Sequence, residues 1–414
     1  MRFVSGGLFI FIVILFVLLT ELKRDVFLPL IIRLEHDQNF DICVVGSGLS
    51  GSVIAERYAA TTDKSILVME KGSHIGGNCY DYIDNETKIR ASIYGAHIFH
   101  TKYKHVWEYV QHFSGWVPYE HKVLALVKGK YVPIPVNIDT VNTLFNLDIK
   151  SVKEMNSWLK NEQVHYNRTL LNSEEMALSR VGLKLYELLF KSYTIKQWNK
   201  TPATLGPSVL ARIPVRNNWD TRYFSDQFQA LPKNGYTGFI KNMLKSPQII
   251  IRLNMDYFDV RRSIKCEKTY FTGPFDRYYA IKGLAALEYR SLSFERQVIK
   301  DIDHFQPASV VNHPDPEDNF IRIVEYNWFP NQQYQSNDTI VFIERSTDNG
   351  EPYYPVPNKR NQDLYNRYKA LASYDPYIHF LGRLANYKYF NMDEAIKNAL
   401  EMFSNTVNSV LATT

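Results

Sequence analysis

Three cysteines in 414 residues, Cys43, Cys79 and Cys266, are too few and too scattered for a disulfide framework or a zinc site. That scarcity excludes the small disulfide-stapled folds and points the working part of the chain to a reducing compartment. Blocks of basic residues are also missing. The 48 Lys and Arg against 43 Asp and Glu leave a net +5 that is spread along the chain, which argues against nucleic acid as the main partner and suits an anionic small molecule. No internal repeat occurs, and one apolar run is the only low-complexity tract. What is present, 45% hydrophobic and 22% charged residues, is ordinary globular material for a large domain carrying insertions. Tyrosine is abundant at 28 residues, more than enough for a core and for a site that stacks on rings and binds hydroxyls.

The apolar run is Phe3 to Leu19, uncharged, with Arg2 before it and Glu21, Lys23, Arg24 and Asp25 after it. It is just long enough to span a thin bilayer as a helix, and no small-residue cleavage site follows Leu19, so an anchor is preferred over a cleaved signal peptide. Lys23, Arg24 and Arg33 against Arg2 place the body on the cytoplasmic side by the positive-inside rule. Four Asn-x-Thr tripeptides, at Asn85, Asn167, Asn199 and Asn337, matter only for a lumenal body and are read here as chance matches.

From Asp41 the pattern becomes strand, glycine turn, helix, strand. Asp41 to Val45 is a β-branched run, Gly46-Ser-Gly48-Leu-Ser-Gly51 has the G-x-G-x-x-G spacing, Val53 to Ala60 reads as a helix, and Ile66 to Met69 is a second strand ending at Glu70. The glycines permit a tight turn, the approach of a pyrophosphate and close helix packing, and the helix N-terminus offers N–H groups to phosphate. Glu70, 19 residues past Gly51, can accept from a ribose hydroxyl and favours FAD or NAD over a 2′-phosphorylated dinucleotide. Gly76-Gly77-Asn78 brings a second bare backbone to the same crevice, which makes flavin the first choice of cofactor. Gly95-Ala-His97-Ile-Phe-His100 follows and could lie along the flavin ring. Further on, helical spacing dominates from Val106 to Leu189, broken by a hairpin at Lys122 to Val136; short strands fill Ile249 to Ile343; and Met392 to Phe403 is a last helix.

These strings, with Tyr193-Thr-Ile-Lys-Gln-Trp198, Ile213-Pro-Val-Arg216, Leu287-Glu-Tyr-Arg290-Ser, Glu351-Pro-Tyr-Tyr-Pro355, Gly382-Arg383-Leu and Tyr387-Lys-Tyr389 in that order, resemble the UDP-galactopyranose mutases of the short prokaryotic-like type over about residues 40 to 405. The resemblance implies an isomerase that interconverts UDP-galactopyranose and UDP-galactofuranose, in which N5 of reduced FAD attacks the anomeric carbon and a sugar-flavin iminium forms on the way. It implies that Arg216 and Arg290 stabilise the departing diphosphate with His97 among the catalytic residues, and that Tyr193, Tyr354 and Tyr389 bind the diphosphate. Trp198 then walls the sugar site and Tyr223 stands near the uridine. The cofactor falls to Gly46, Gly48, Leu49, Gly51, Glu70, Lys71, Gly77, Asn78, His97, Ile98 and Arg383, with His100 in the same flavin-lining string, and no metal is implied.

The fold expected is α/β: a Rossmann-type FAD-binding domain with an inserted helical bundle and an antiparallel β-sheet domain. The segments are 1–38 for anchor and linker, and 39–104 for the Rossmann core, completed by about 231–284 and 376–410. A helical insertion over 105–200 with a hairpin near 120–136, and an antiparallel substrate domain over 201–230 and 285–375, make up the rest. Two residues depart from the family pattern: Leu381 stands where a glycine is usual and Asn391 where an aspartate often stands. The anchor is also unusual for the family. A flavin oxidoreductase of the amine-oxidase or desaturase kind and a non-catalytic nucleotide-sugar-binding flavoprotein are the competing readings, and the two arginines argue against the first of them.

Overall fold

The computed structural model describes residues 39–280 and 283–411. The apolar run at Phe3 to Leu19 lies outside them. Among the described residues no helix is long and apolar enough to cross a membrane.

In chain order the elements that shape the site begin with β1 (Asn39–Val45), α1 (Leu49–Thr61), β2 (Ile66–Met69), β3 (Val123–Val127) and β4 (Lys130–Ile134). Three helices follow, α2 (Val152–Glu162), α3 (Ser173–Leu185) and α4 (Ser192–Trp198), then β5 (Ile249–Arg252) and β6 (Lys265–Phe271). The rest are β7 (Tyr289–Ile299), β8 (Val310–Asn312), β9 (Arg322–Glu325), β10 (Thr339–Thr347), β11 (Tyr354–Pro355), β12 (Ile378–Phe380) and the closing helix α5 (Met392–Leu411).

Five strands form an all-parallel sheet in the order β5-β2-β1-β6-β12. By order of appearance this is 3-2-1-4-5, the doubly wound arrangement whose ligands sit beyond the carboxyl ends of the strands. Every residue of β2 is buried, because helices and loops cover both faces of a parallel sheet and leave no polar side. Helix α1 packs on the sheet and is covered in turn by α5, with Tyr58 edge-on to Phe403 at 5.0 Å and its hydroxyl 2.7 Å from that of Tyr270.

A disulfide joins Cys43 of β1 to Cys266 of β6. Cysteines that spacing marks as too scattered for a disulfide framework thus include one bonded pair, which removes the argument from scarcity for a reducing compartment. Residues 223 apart in sequence meet because β1 and β6 are neighbours in the sheet, a proximity that spacing along the chain does not reveal. Cys79 is free and buried.

The second layer is a seven-stranded sheet in the order β11-β7-β10-β9-β8-β3-β4, antiparallel except where β3 runs parallel to β8. The hairpin β3-β4 turns through Lys128 (φ 49°) and Gly129 (φ 75°), the pair of left-handed residues that a two-residue turn requires. This hairpin, placed near 120–136 within the 105–200 insertion by the sequence, pairs into the large sheet, so the strands and helices of that segment lie in different layers. Segment 201–230 gives no strand to the large sheet. Its one strand, Phe228–Pro232, instead pairs with Phe99–Thr101 and Trp116–Pro118 in a separate three-stranded sheet.

Candidate active site

Beyond the carboxyl ends of β1, β2 and β6 lies a cavity of about 440 Å³. Gly46, Gly48, Leu49, Glu70, Lys71, Gly77, Asn78, His97 and Arg383 all line it. Two glycines show why a bare backbone is needed. A Cβ on Gly77, which has φ +52°, would stand 3.2 Å from the Cα of Gly48, so the two glycine segments are in contact and form one continuous backbone surface. Gly51 is set back from the cavity: a side chain there would collide with the Gly46 carbonyl, so its role is to let α1 approach β1. The first turn of α1 has no side-chain cap and no acidic residue, which leaves its N–H groups for an anion. Glu70 accepts from Ser47 N and Oγ, both at 2.9 Å, and from Gly72 N at 2.8 Å. These bonds orient its carboxylate at the rim while leaving lone pairs for hydroxyl donors. Lys71 pairs with Glu351. These donors and this bare cradle fit an extended dinucleotide.

A second cavity, also about 440 Å³, adjoins the first. Tyr94, His97, Arg383, Asn391 and Met392 line both. Its walls include Ile98, His100, Tyr193, Trp198, Tyr223, Tyr354 and Tyr389, which the sequence expectation had divided between cofactor and substrate. Tyr354 and Tyr389 stack at 5.3 Å, and Trp198 leans on Tyr354 at 6.2 Å. The guanidinium of Arg383 lies 5.4 Å from the Tyr354 ring centre and 5.0 Å from that of Tyr389, and it donates to the Phe390 carbonyl at 2.8 Å. His97 shares a 2.9 Å bond with the Gly95 carbonyl through Nδ1. Burial pulls its pKa down to about 4, so the ring is neutral near pH 7. A carbonyl can only accept, hence Nδ1 carries the proton and Nε2 offers a lone pair. His100 bonds Asp226 at 2.5 Å and stacks on Phe224 at 3.6 Å.

The cations of this cavity are not the two that sequence comparison selected. Arg212 and Arg322 line it with Arg383, and neither Arg216 nor Arg290 does. Arg216 donates to Asp220 at 2.6 Å and to the Arg222 carbonyl at 2.7 Å, and its own N–H bonds the Val136 carbonyl at 2.9 Å. It fastens its loop to the end of the β3-β4 hairpin. Arg290, 4% exposed, bonds the Gln197 carbonyl at 3.1 Å and Ser346 Oγ at 2.7 Å, and it pairs with Asp348. It faces a third cavity of about 650 Å³, which shares Trp198 with the second. There it holds the last turn of α4, where a cation offsets the carbonyl end of the helix.

Arg212 lies 4.2 Å above the Tyr389 ring centre. Arg322 pairs at 2.5 Å with Glu344, whose side chain is fully buried, on the neighbouring strand β10. Burial raises the cost of ionising Tyr389, yet Arg212, Arg383 and Arg322 outweigh it and draw the phenol down to about 8. Burial alone dominates at Tyr193, pushed up to about 12, and at Tyr354, also raised. The second cavity is thus a positively charged, phenol-lined chamber.

The two family departures have defined local settings, and Asn391 also lines both cavities. Leu381 takes ordinary extended backbone (φ −148°, ψ 163°) and is fully buried, while Gly382 beside it takes the left-handed φ of +88°. Asn391 N donates to Glu394 Oε2 at 2.9 Å, the backward arm of a capping box at the start of α5.

Residues 188–389 match the family described as UDP-galactopyranose mutase, and residues 44–113 match the NAD(P)-binding Rossmann-like domain. The chain is 34% identical over 380 residues to a Klebsiella pneumoniae protein named "Probable UDP-galactopyranose mutase", across 89% of this chain and 96% of that one. It is equally, 34%, identical over 367 residues to the dTDP-fucopyranose mutase of Escherichia coli, across 87% of this chain and 96% of the relative. A crystal structure of reduced UDP-galactopyranose mutase superposes with a TM-score of 0.70 at 16% identity, over 91% of this chain and 95% of the other, which shows a common fold.

Proposed function

The chain belongs to the UDP-galactopyranose mutase family, and from that premise we propose that it interconverts the pyranose and furanose forms of UDP-galactose with reduced FAD as its cofactor. The observation that carries this reading is the junction of the two cavities at His97 and Arg383. A dinucleotide cradle on one side meets a phenol- and guanidinium-lined chamber on the other. Reduced FAD, when bound, supplies a nucleophilic nitrogen; Gly46, Gly48, Gly77 and the α1 N-terminus would hold its pyrophosphate and Glu70 its ribose.

The residues of the chain do the rest. Arg212, Arg322 and Arg383 counter the charge that grows on a departing diphosphate. Tyr193, Tyr354 and Tyr389 donate to its oxygens, and Trp198 walls the sugar. Neutral His97 offers Nε2 as a hydroxyl acceptor at the junction and, with its pKa of about 4, is no proton donor near neutrality. Tyr223 and Phe224, edge to face at 5.0 Å, form an aromatic wall suited to a base. The apolar run Phe3 to Leu19 is the segment that holds the enzyme at a membrane.

A second reading has its own support, since the dTDP-fucopyranose mutase is as similar as the first relative. Incubating protein with UDP-galactofuranose or dTDP-fucofuranose, with and without dithionite, and following the pyranose by chromatography tests both. Dithionite-dependent conversion of the UDP sugar supports the proposal. Turnover of only the dTDP sugar moves the chain to the second reading, and equal activity of oxidised protein removes reduced flavin from both.

A further inference from the structure

Two features outside the site share one chemistry. The first is the Cys43–Cys266 disulfide between neighbouring strands of the parallel sheet. Thiols persist in reducing cytosol and bridges persist in oxidising lumens. The second is the setting of the acceptor tripeptides. All four asparagines are exposed: Asn85 in the tight turn after Asp84, Asn167 in the connection between α2 and α3, Asn199 after α4, and Asn337 two residues before β10. The side-chain amides of Asn85, Asn167 and Asn337 make no hydrogen bond among the described residues, and none of the three lines any of the three cavities. Asn199 differs, since its Nδ2 donates to Asp348 at 2.8 Å and it lines the third cavity beside Arg290.

We propose that the folded body matures in an oxidising, glycan-adding lumen, where it carries the Cys43–Cys266 disulfide and N-linked glycans at Asn85, Asn167 and Asn337. This reverses the side of the membrane that Lys23, Arg24 and Arg33 suggest, and that charge difference is small: three cations after the run against one before it, with Glu21 and Asp25 among them. Two thiols surrender two protons and two electrons to a disulfide-carrying oxidase as the S–S bond forms. At each asparagine Nδ2 attacks the anomeric carbon of a lipid-linked oligosaccharide. The new C–N bond replaces the C–O bond to the lipid diphosphate, and the amide proton passes to the transferase. The bulky, solubilising product fits exposed turns that no cavity needs. The inference does not depend on which sugar nucleotide the site takes.

The test is expression of the full chain in yeast with a C-terminal tag containing an acceptor tripeptide. Peptides are mapped after peptide N-glycosidase treatment in ¹⁸O-water, and cysteines are alkylated before and after reduction. The expected result is ¹⁸O-labelled aspartate at positions 85, 167 and 337, with none at 199. Cys43 and Cys266 should react only after reduction, and each of Asn85→Gln, Asn167→Gln and Asn337→Gln should remove one step of gel mobility. A bare tag with Cys43 and Cys266 alkylated before reduction overturns the lumenal placement. A glycosylated tag with the three asparagines bare overturns the site assignment.

Discussion

Replacing Arg212 by alanine isolates the electrostatics of the second cavity, because this arginine makes no ion pair with a carboxylate among the described residues. Its guanidinium carbon is 4.2 Å from the Tyr389 ring centre. A unit charge at about 4 Å is worth roughly 1 kcal/mol in water and roughly 4 kcal/mol at an effective dielectric of about 20. At about 1.4 kcal/mol per unit, its loss should raise the Tyr389 pKa, now about 8, by about one to three units. The assay is tyrosinate absorbance near 295 nm against pH, with Tyr389→Phe as reference. The other tyrosines with a resolved shift are all raised, so the first phenol to ionise stands clear of them. Turnover should fall on the order of 10²–10³-fold, the loss typical of one donor at a developing anion, with the flavin spectrum and thermal midpoint nearly unchanged. In the unaltered protein affinity for substrate should weaken above about pH 8, because a Tyr389 anion repels a diphosphate. An Arg212→Ala protein whose first tyrosine still titrates near 8 would refute the reasoning, and so would one with normal turnover.

Arg322→Ala should behave differently, since it strands the buried Glu344 carboxylate and should cost about 3–5 kcal/mol in denaturant unfolding. The double variant with Glu344→Ala should recover most of that while staying inactive. Gly48→Val should abolish flavin retention, checked by absorbance after gel filtration, because a side chain would intrude where the two glycine backbones meet. Arg290→Ala should lower the thermal midpoint by loosening α4 and Trp198, whereas Arg216→Ala should keep near-normal kinetics; a loss of at least about 10²-fold in Arg216→Ala with the fold intact would put that residue back in the site. Burial holds His121 at a pKa of about 3. An unfolded histidine protonates near 6.5, so this contribution to stability is complete above that pH and is lost as pH falls toward about 3. His121→Leu should flatten the thermal midpoint between pH 6.5 and 4.

The dinucleotide half of the molecule was legible because local sequence dictates it. A buried strand, bare glycines, a helix start and a terminal Glu70 lie within 30 residues, and each has its own backbone or periodicity signature. The tyrosines of the second cavity were legible through ordered strings alone, since a phenol in a core and a phenol in a site look the same in one dimension. The arginines show where that approach stops. Arg212 and Arg216 sit four apart in one string, and what separates them is Asp220, which captures Arg216. Arg322 interrupts the apolar run Ile321 to Val324, a signal that was available, but its partner Glu344 lies across a strand pair. Arg290 is buried for the sake of a helix end that only the fold brings to it. The disulfide was hidden for the same reason.

Arg383 belongs to both cavities, and this has a thermodynamic consequence. A single guanidinium facing two ligands cannot respond to one without altering what it offers the other. A group in the first cavity that gains negative charge draws on the same positive field that the second cavity presents to any anion there. By linkage, the factor by which cofactor charge changes substrate affinity equals the factor by which substrate changes the affinity for that charge. Filling the second chamber with an anion must therefore move the reduction potential of whatever redox group the first one holds, and the reduced and oxidised enzymes must differ in their grip on the same nucleotide.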